Sequence, residues 1–467
     1  MENTPFDNDS GKPNIISQYE RLTTKNDNVY LEVDDFERIA EHYMSSGKNK
    51  EALKVIDRGL KQHFYNVALY RLKATIYISE GKFEYALNVV KSAFSLSPED
   101  HILKLLEIEC IAFLGNEREA LARLNTLKET YSDEDKIDSL FVQAKIYERM
   151  SDFKAIFDTL KEVLAIDPSN PTALEKIWFC VELSGQYEES IALHHAIIDE
   201  QPYNYLAWYN LGHAYTCMDD LENALMAYEY TFLINEEFEF GYRDFAEILI
   251  SKGEFEKALE VLEEIRAKFG KDAELYLNLG QCHLHMEDYD KAYKYLIKAK
   301  EYNPLEGKIY FLLGLCEMAG LNYDSAIYYL TIAIELDNLK EEYYEALAST
   351  HMLKGDFDTA IQAMKQAIEI APEHWHFTIE LSKLYIELFE YEKAYKTLTN
   401  VADLLDAPEV RYCLAICHIL MGDEAIGMEM LSTELKVAYD QHYIIKELNI
   451  PAQYDELIDD LIAQYHS

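Results

Sequence analysis

Basic side chains are scarce in this chain. Its 467 residues hold 43 Lys and Arg against 85 Asp and Glu, a formal net charge of −42. Binding a nucleic-acid backbone needs clustered bases, so this excess of acid argues against that partner. The same charge opposes docking on anionic membrane surfaces. It favours solubility and can steer a basic partner toward the chain. Long apolar runs are absent as well: none reaches 18 residues, so no membrane span is expected. The first residues lack a basic stretch followed by an apolar run, so no secretory leader is expected. The 17 glycines build neither a GxxxxGK nor a GxGxxG loop, and no HExxH occurs. Phosphate-cradling loops and that zinc-site motif are therefore excluded.

What the chain does have is one small residue that returns at a fixed step. Ala52, Ala86 and Ala120 are 34 residues apart, as are Ala224, Ala258, Ala292, Ala326, Ala360 and Ala394. Ser190 and Ile156 continue the step back from Ala224, and two extra residues follow Ala120. A period of this length marks an array of stacked units rather than one globular core. Let the small residue be position 20 of each unit. Position 15 is then Gly47, Gly81, Gly115, Gly185, Gly253 and Gly355, which suits a left-handed helix C-terminus. Position 8 is small in most units, as in Gly212, Gly280 and Gly314, and is expected to face position 20 across a helical hairpin. Acids near positions 16 and 18, such as Asp288 and Asp290, are placed to cap a second helix. Pro98, Pro168, Pro202, Pro304 and Pro372 at position 32 end that helix.

Trp208, Leu211, Gly212, Tyr215, Ala224 and Tyr228 in unit 205–238, with Tyr276, Leu279, Gly280, Tyr289, Ala292 and Pro304 in unit 273–306, carry a resemblance. The pattern resembles the tetratricopeptide repeat, strongly over 33–408 and weakly over 408–441. The resemblance implies an all-α fold: a right-handed superhelical α-solenoid of about twelve helix hairpins. Residues 1–32 read as a polar tail, with Met1–Asn14 disordered and Ile15–Leu22 as a short helix over the first unit. In the degenerate unit Gly427 stands where Ala is expected. Residues 442–467 carry Tyr454, Leu457, Ile458, Leu461 and Ile462 at helical spacing, as expected of a C-terminal capping helix.

Residues that could carry chemistry read more simply as packing. Five of the seven cysteines (Cys110, Cys180, Cys282, Cys316 and Cys417) recur at position 10, on the packed face of the hairpin. They are small core residues, not a disulfide framework, and the cytoplasm is the expected compartment. Cys413 and Cys417 share a helix face beside His418, but no second pair lies nearby for a metal. His194 occupies a core slot, His374 and His376 belong to a turn, and His283 and His285 point to different sides of one helix. No nucleophile and base are brought together by spacing, so no catalytic site, cofactor or metal is expected, and the chain is not read as an enzyme.

The resemblance also implies a binding wall, since the family faces its groove with positions 2, 5, 6, 9, 12 and 13 of the first helices. Carried over, it selects Tyr209, Asn210 and His213, then Arg243, then Leu277, Asn278 and Gln281, then Lys308, Phe311, Leu312 and Leu315. Leu277, Leu284, Phe311, Leu312, Leu315 and Met318 are apolar there, and form a binding patch if exposed. Arg243, Asn278 and Lys308 match three of the five residues with which chaperone-binding members clamp a C-terminal carboxylate, while Glu247 and Leu312 depart from it. The expected function is a non-catalytic scaffold or adaptor that holds a protein or peptide ligand in the groove, one of basic character being favoured by charge. Rival readings are a structural or regulatory subunit that assembles, or self-associates, through the repeat ends or convex face, and a regulatory arm of a separate enzyme.

Overall fold

The computed structural model describes residues 15–16, 19, 30–128, 133–402, 407–448 and 450–465. Among the described residues every regular element is helical. The chain forms two compact units, Met1–Gly241 and Tyr242–Ser467.

The first unit contains the hairpins α1 (Val33–Ser45) and α2 (Asn49–Gln62), α3 (Val67–Ser79) and α4 (Phe83–Phe94), and α5 (His101–Phe113) and α6 (Glu117–Lys128). It continues with α7 (Asp133–Arg149) and α8 (Phe153–Ile166), α9 (Pro171–Ser184) and α10 (Tyr187–Glu200), and α11 (Tyr205–Cys217) and α12 (Leu221–Ile234). The unit boundary falls inside α13 (Glu239–Ser251). The second unit continues with α14 (Phe255–Lys268), α15 (Ala273–His285) and α16 (Tyr289–Tyr302), α17 (Gly307–Ala319) and α18 (Tyr323–Leu336), and α19 (Glu341–Lys354) and α20 (Phe357–Ile370). It closes with α21 (Trp375–Glu387) and α22 (Tyr391–Ala402), α23 (Pro408–Met421) and α24 (Glu424–Val437), then α25 (Tyr443–Glu447) and α26 (Ala452–Tyr465). Within each unit helices pack on their sequence neighbours, within and between hairpins, as in an α-solenoid.

Each hairpin turns through the left-handed region at position 15. Glycine supplies that backbone at Gly47, Gly81, Gly115, Gly185, Gly253, Gly355 and Gly422, and Ser151, Asp219, Glu287, Leu321 and Phe389 adopt it in the other five. The next residue starts the second helix: Asp152, Asp220, Asp288 and Asp356 each accept the backbone N–H three residues on. First helices are capped too, from position 34, by Asn66, Asp100, Asn170, Asn204 and Asp272, a device not foreseen from the sequence.

Position 8 faces position 20 as expected, and meets position 24 as well. A Cβ on Gly280 or Gly314 would lie 2.7 Å from the side chains of Leu296 and Leu330, at position 24, and 3.4 Å from the carbonyls of Ala292 and Ala326, at position 20. The small residue thus admits the position-24 side chain over the backbone of position 20. The hairpin α9–α10 breaks this rule. Trp178 fills position 8 and Ser190 replaces Ala. Its position-24 residue is His194, fully buried, with Nδ1 2.7 Å from the Ser190 carbonyl oxygen.

Ile15, Ile16 and Tyr19 are helical and pack on the α1–α2 core; the rest of the expected Ile15–Leu22 helix, and Met1–Asn14, lie outside the described residues. At the other end Ile458 and Ile462 of α26 are buried in the cluster that contains Leu431 and Leu435 of α24. Among the described residues no helix is long and apolar enough to cross a membrane.

Candidate partner-binding wall

In the first unit the expected wall residues lie on α11. Tyr209 joins an aromatic cluster, its ring 5.1 Å from Phe238 and 5.7 Å from Tyr228. Asn210 is 2% exposed and donates from Nδ2 to the Leu174 carbonyl at 2.8 Å, tying α11 to α9. It therefore serves the stack and is not open to a ligand, contrary to the expectation. His213 packs edge-on against Trp178 at 5.2 Å and lies 3.9 Å from Glu182. Burial pushes its pKa down, and the Glu182 carboxylate only partly offsets that.

In the second unit Arg243 is already occupied. Its guanidinium reaches Asp272 at 2.5 Å and Glu274 at 3.3 Å. A ligand carboxylate would have to displace two that the chain itself supplies. With Leu312 4% exposed in place of a base, the carboxylate clamp is not built.

The apolar patch is likewise not an open one. Leu312 is buried, and Leu277, Leu284, Phe311, Leu315 and Met318 are half-buried. Phe311 stacks on Tyr343 of the next hairpin at 4.9 Å, and the Thr350 hydroxyl donates to the Met318 sulfur at 3.4 Å. The following repeat covers much of what the spacing placed on the wall. Three polar residues stay uncommitted. Asn278 and Gln281 are half-buried on α15 and Lys308 is exposed on α17. Among the described residues their side chains make no hydrogen bond or salt bridge with the chain.

The cysteines are all free, and the five at position 10 are buried. Burial pushes the thiols of Cys110, Cys282, Cys316 and Cys417 up to about 12 and that of Cys180 to about 11. Such thiols stay protonated and unreactive at neutral pH. Among the described residues no three His, Cys, Asp or Glu side chains are grouped to hold a metal. His283 stacks on Tyr295 at 5.5 Å and His285 on Phe255 at 4.7 Å, so each is used in packing.

Family models described as tetratricopeptide repeat match residues 205–229, 249–316, 312–374 and 351–415. These stretches include α15 and α17 with their hairpin partners. The chain is a tetratricopeptide-repeat protein. Tetratricopeptide solenoids are typically non-catalytic scaffolds for protein–protein interaction. Among curated proteins the chain is 20% identical over 174 residues to human protein O-mannosyl-transferase TMTC1, covering 36% of this chain and 19% of that one. It is 22% identical over 217 residues to DnaJ homolog subfamily C member 3 of Gallus gallus, covering 42% of each. The chain thus spans less than half the length of the curated relatives it matches. Among solved tetratricopeptide structures, yeast Tom70 is 16% identical with a TM-score of 0.44, covering 92% of this chain and 95% of that one. In the APC/C hetero-tetramer Cut9–Hcn1 the matching chain is 14% identical with a TM-score of 0.42, covering 97% and 93%.

Proposed function

We propose that this tetratricopeptide protein is a non-catalytic scaffold that holds an extended segment of a partner protein along the first helices of its second unit. One observation carries the reading. Asn278, Gln281 and Lys308 occupy ligand-facing family positions on successive first helices and are left unengaged by the chain. Primary amides both donate and accept hydrogen bonds, so Asn278 and Gln281 suit a partner's backbone rather than one side chain. Leu277 and Leu315, half-buried beside them, offer apolar contact without an open patch. Tyr209 and His213 are proposed, by family position, as ligand-facing residues of the first unit taken by itself. The excess of 85 acids over 43 bases favours a partner segment of basic character and disfavours nucleic acid and membrane surfaces. Reduced, buried cysteines accord with a cytoplasmic setting.

A photo-crosslinking amino acid at Gln281 tests this, with one at exposed Lys365 on α20 as control. In the native host, a defined partner adduct from position 281 and none from position 365 is the expected result. Equal adducts from both positions, or none from 281, would remove the wall as the binding site.

A further inference from the structure

The edge of the second unit where hairpins turn carries apolar side chains that the fold does not require. At position 15 Leu321 and Phe389 hold φ of 60° and 59°. That region strains a residue with a Cβ and does not strain glycine. Glycine occupies the same point in the tips at Gly253, Gly355 and Gly422. Leu321 and Phe389 are 71% and 77% exposed, so burial does not offset the strain. Met286, Leu353 and Phe357 are exposed on the same run of tips. Strain and apolar exposure coincide where neither helps the chain fold, and such outliers cluster where something binds.

The tips stand side by side. Lys354 Nζ lies 2.5 Å from Asp324 Oδ1 across two of them, and the Phe255–His285 stack joins the preceding pair at 4.7 Å. Acids predominate on them. Segments 286–290, 320–324, 353–358 and 387–391 hold eight acids and one base, Lys354. Glu287, Asp290, Asp358 and Glu387 make no salt bridge among the described residues.

We propose that this edge is a second docking surface, for a basic amphipathic helix of a partner protein. Its apolar face covers Leu321, Phe389 and the adaptable Met286 and Leu353, while its flanking Lys and Arg meet the unpaired acids. Neighbouring helices pack about 10 Å apart, so four tips span about 30 Å, matched by about 20 residues of helix at 1.5 Å each. The surface is separate from the wall: it uses turn residues, not the faces of first helices.

The probe is a labelled Leu/Lys peptide of about 20 residues with all leucines on one helical face, beside a scrambled isomer without such a face. Binding is measured on the full chain by fluorescence anisotropy. The amphipathic peptide should bind at least about tenfold tighter than the isomer, and the double variant L321G/F389G should lose about tenfold. Glycine fits the left-handed backbone, so that variant should melt no lower than the parent. The wall variant Q281A/K308A should bind the peptide unchanged, which separates this surface from the proposed function. The proposal is overturned if the double variant or the isomer binds like its counterpart, or if the wall variant abolishes binding. It is also overturned if sedimentation shows a dimer that only the double variant dissolves, which would assign the edge to a second copy.

Discussion

Gly427 lies so close to Ala415 that a Cβ on it would stand 2.5 Å from the Ala415 carbonyl oxygen. Backbone cannot give way as a side-chain tip can. Gly427→Ala should therefore cost about 1–3 kcal/mol through overpacking of α23 on α24. In a linear stack the loss falls on the terminal hairpin first. Hydrogen exchange should show faster opening in α23 and α24, with α15–α18 unchanged; uniform acceleration would contradict a stack of nearest-neighbour units.

Turn backbones give a reciprocal pair. Gly355 sits at φ 84° and Leu321 at φ 60°. Gly355→Ala should destabilise by about 1 kcal/mol, whereas Leu321→Gly should be neutral or stabilising by up to about 1 kcal/mol. Urea midpoints at constant m decide the signs. A loss of stability in Leu321→Gly would mean that its side chain packs after all.

His194 makes stability depend on pH. Burial lowers its pKa from 6.5 to about 4 in the folded chain. Below pH 6.5 the unfolded chain takes up the proton and the folded chain does not. The stabilisation is complete above pH 6.5 and is lost as pH falls toward 4, by on the order of 3 kcal/mol. His194→Leu restores the residue type found at position 24 in α16 and α18. The variant should show a smaller fall in urea midpoint between pH 7.5 and 5 than the parent. Parallel pH profiles would show that His194 is not the group responsible.

Arg243 gives a prediction about ligand ends. Its partners Asp272 and Glu274 already neutralise it. Peptides that bind the wall should have the same affinity with a free or an amidated C-terminus. A loss of about tenfold or more on amidation would restore the clamp.

The period, the glycine turns, the aspartate caps and the buried cysteines were all legible because each depends on residues within one hairpin. Gly47 or Asp288 acts locally, so its type and place suffice. The wall was less legible because its exposure depends on how closely the next hairpin approaches. Helical position places Asn210 and Leu312 on the expected face, but only packing shows that one bonds to Leu174 and that the other is covered. Arg243 was misread because its partners lie far along the chain, at the end of its own repeat and the start of the next, 29 and 31 residues on. The apolar tips left a faint trace: Leu321 and Phe389 stand where other units have glycine. What that trace lacked was the knowledge that both side chains remain exposed.

The most direct measurement takes the segment captured at position 281, made as a synthetic peptide, and titrates it against the parent and the N278A/Q281A variant by calorimetry. A loss of about tenfold or more in affinity with an unchanged melting temperature is expected. Equal affinity for the two proteins would contradict it.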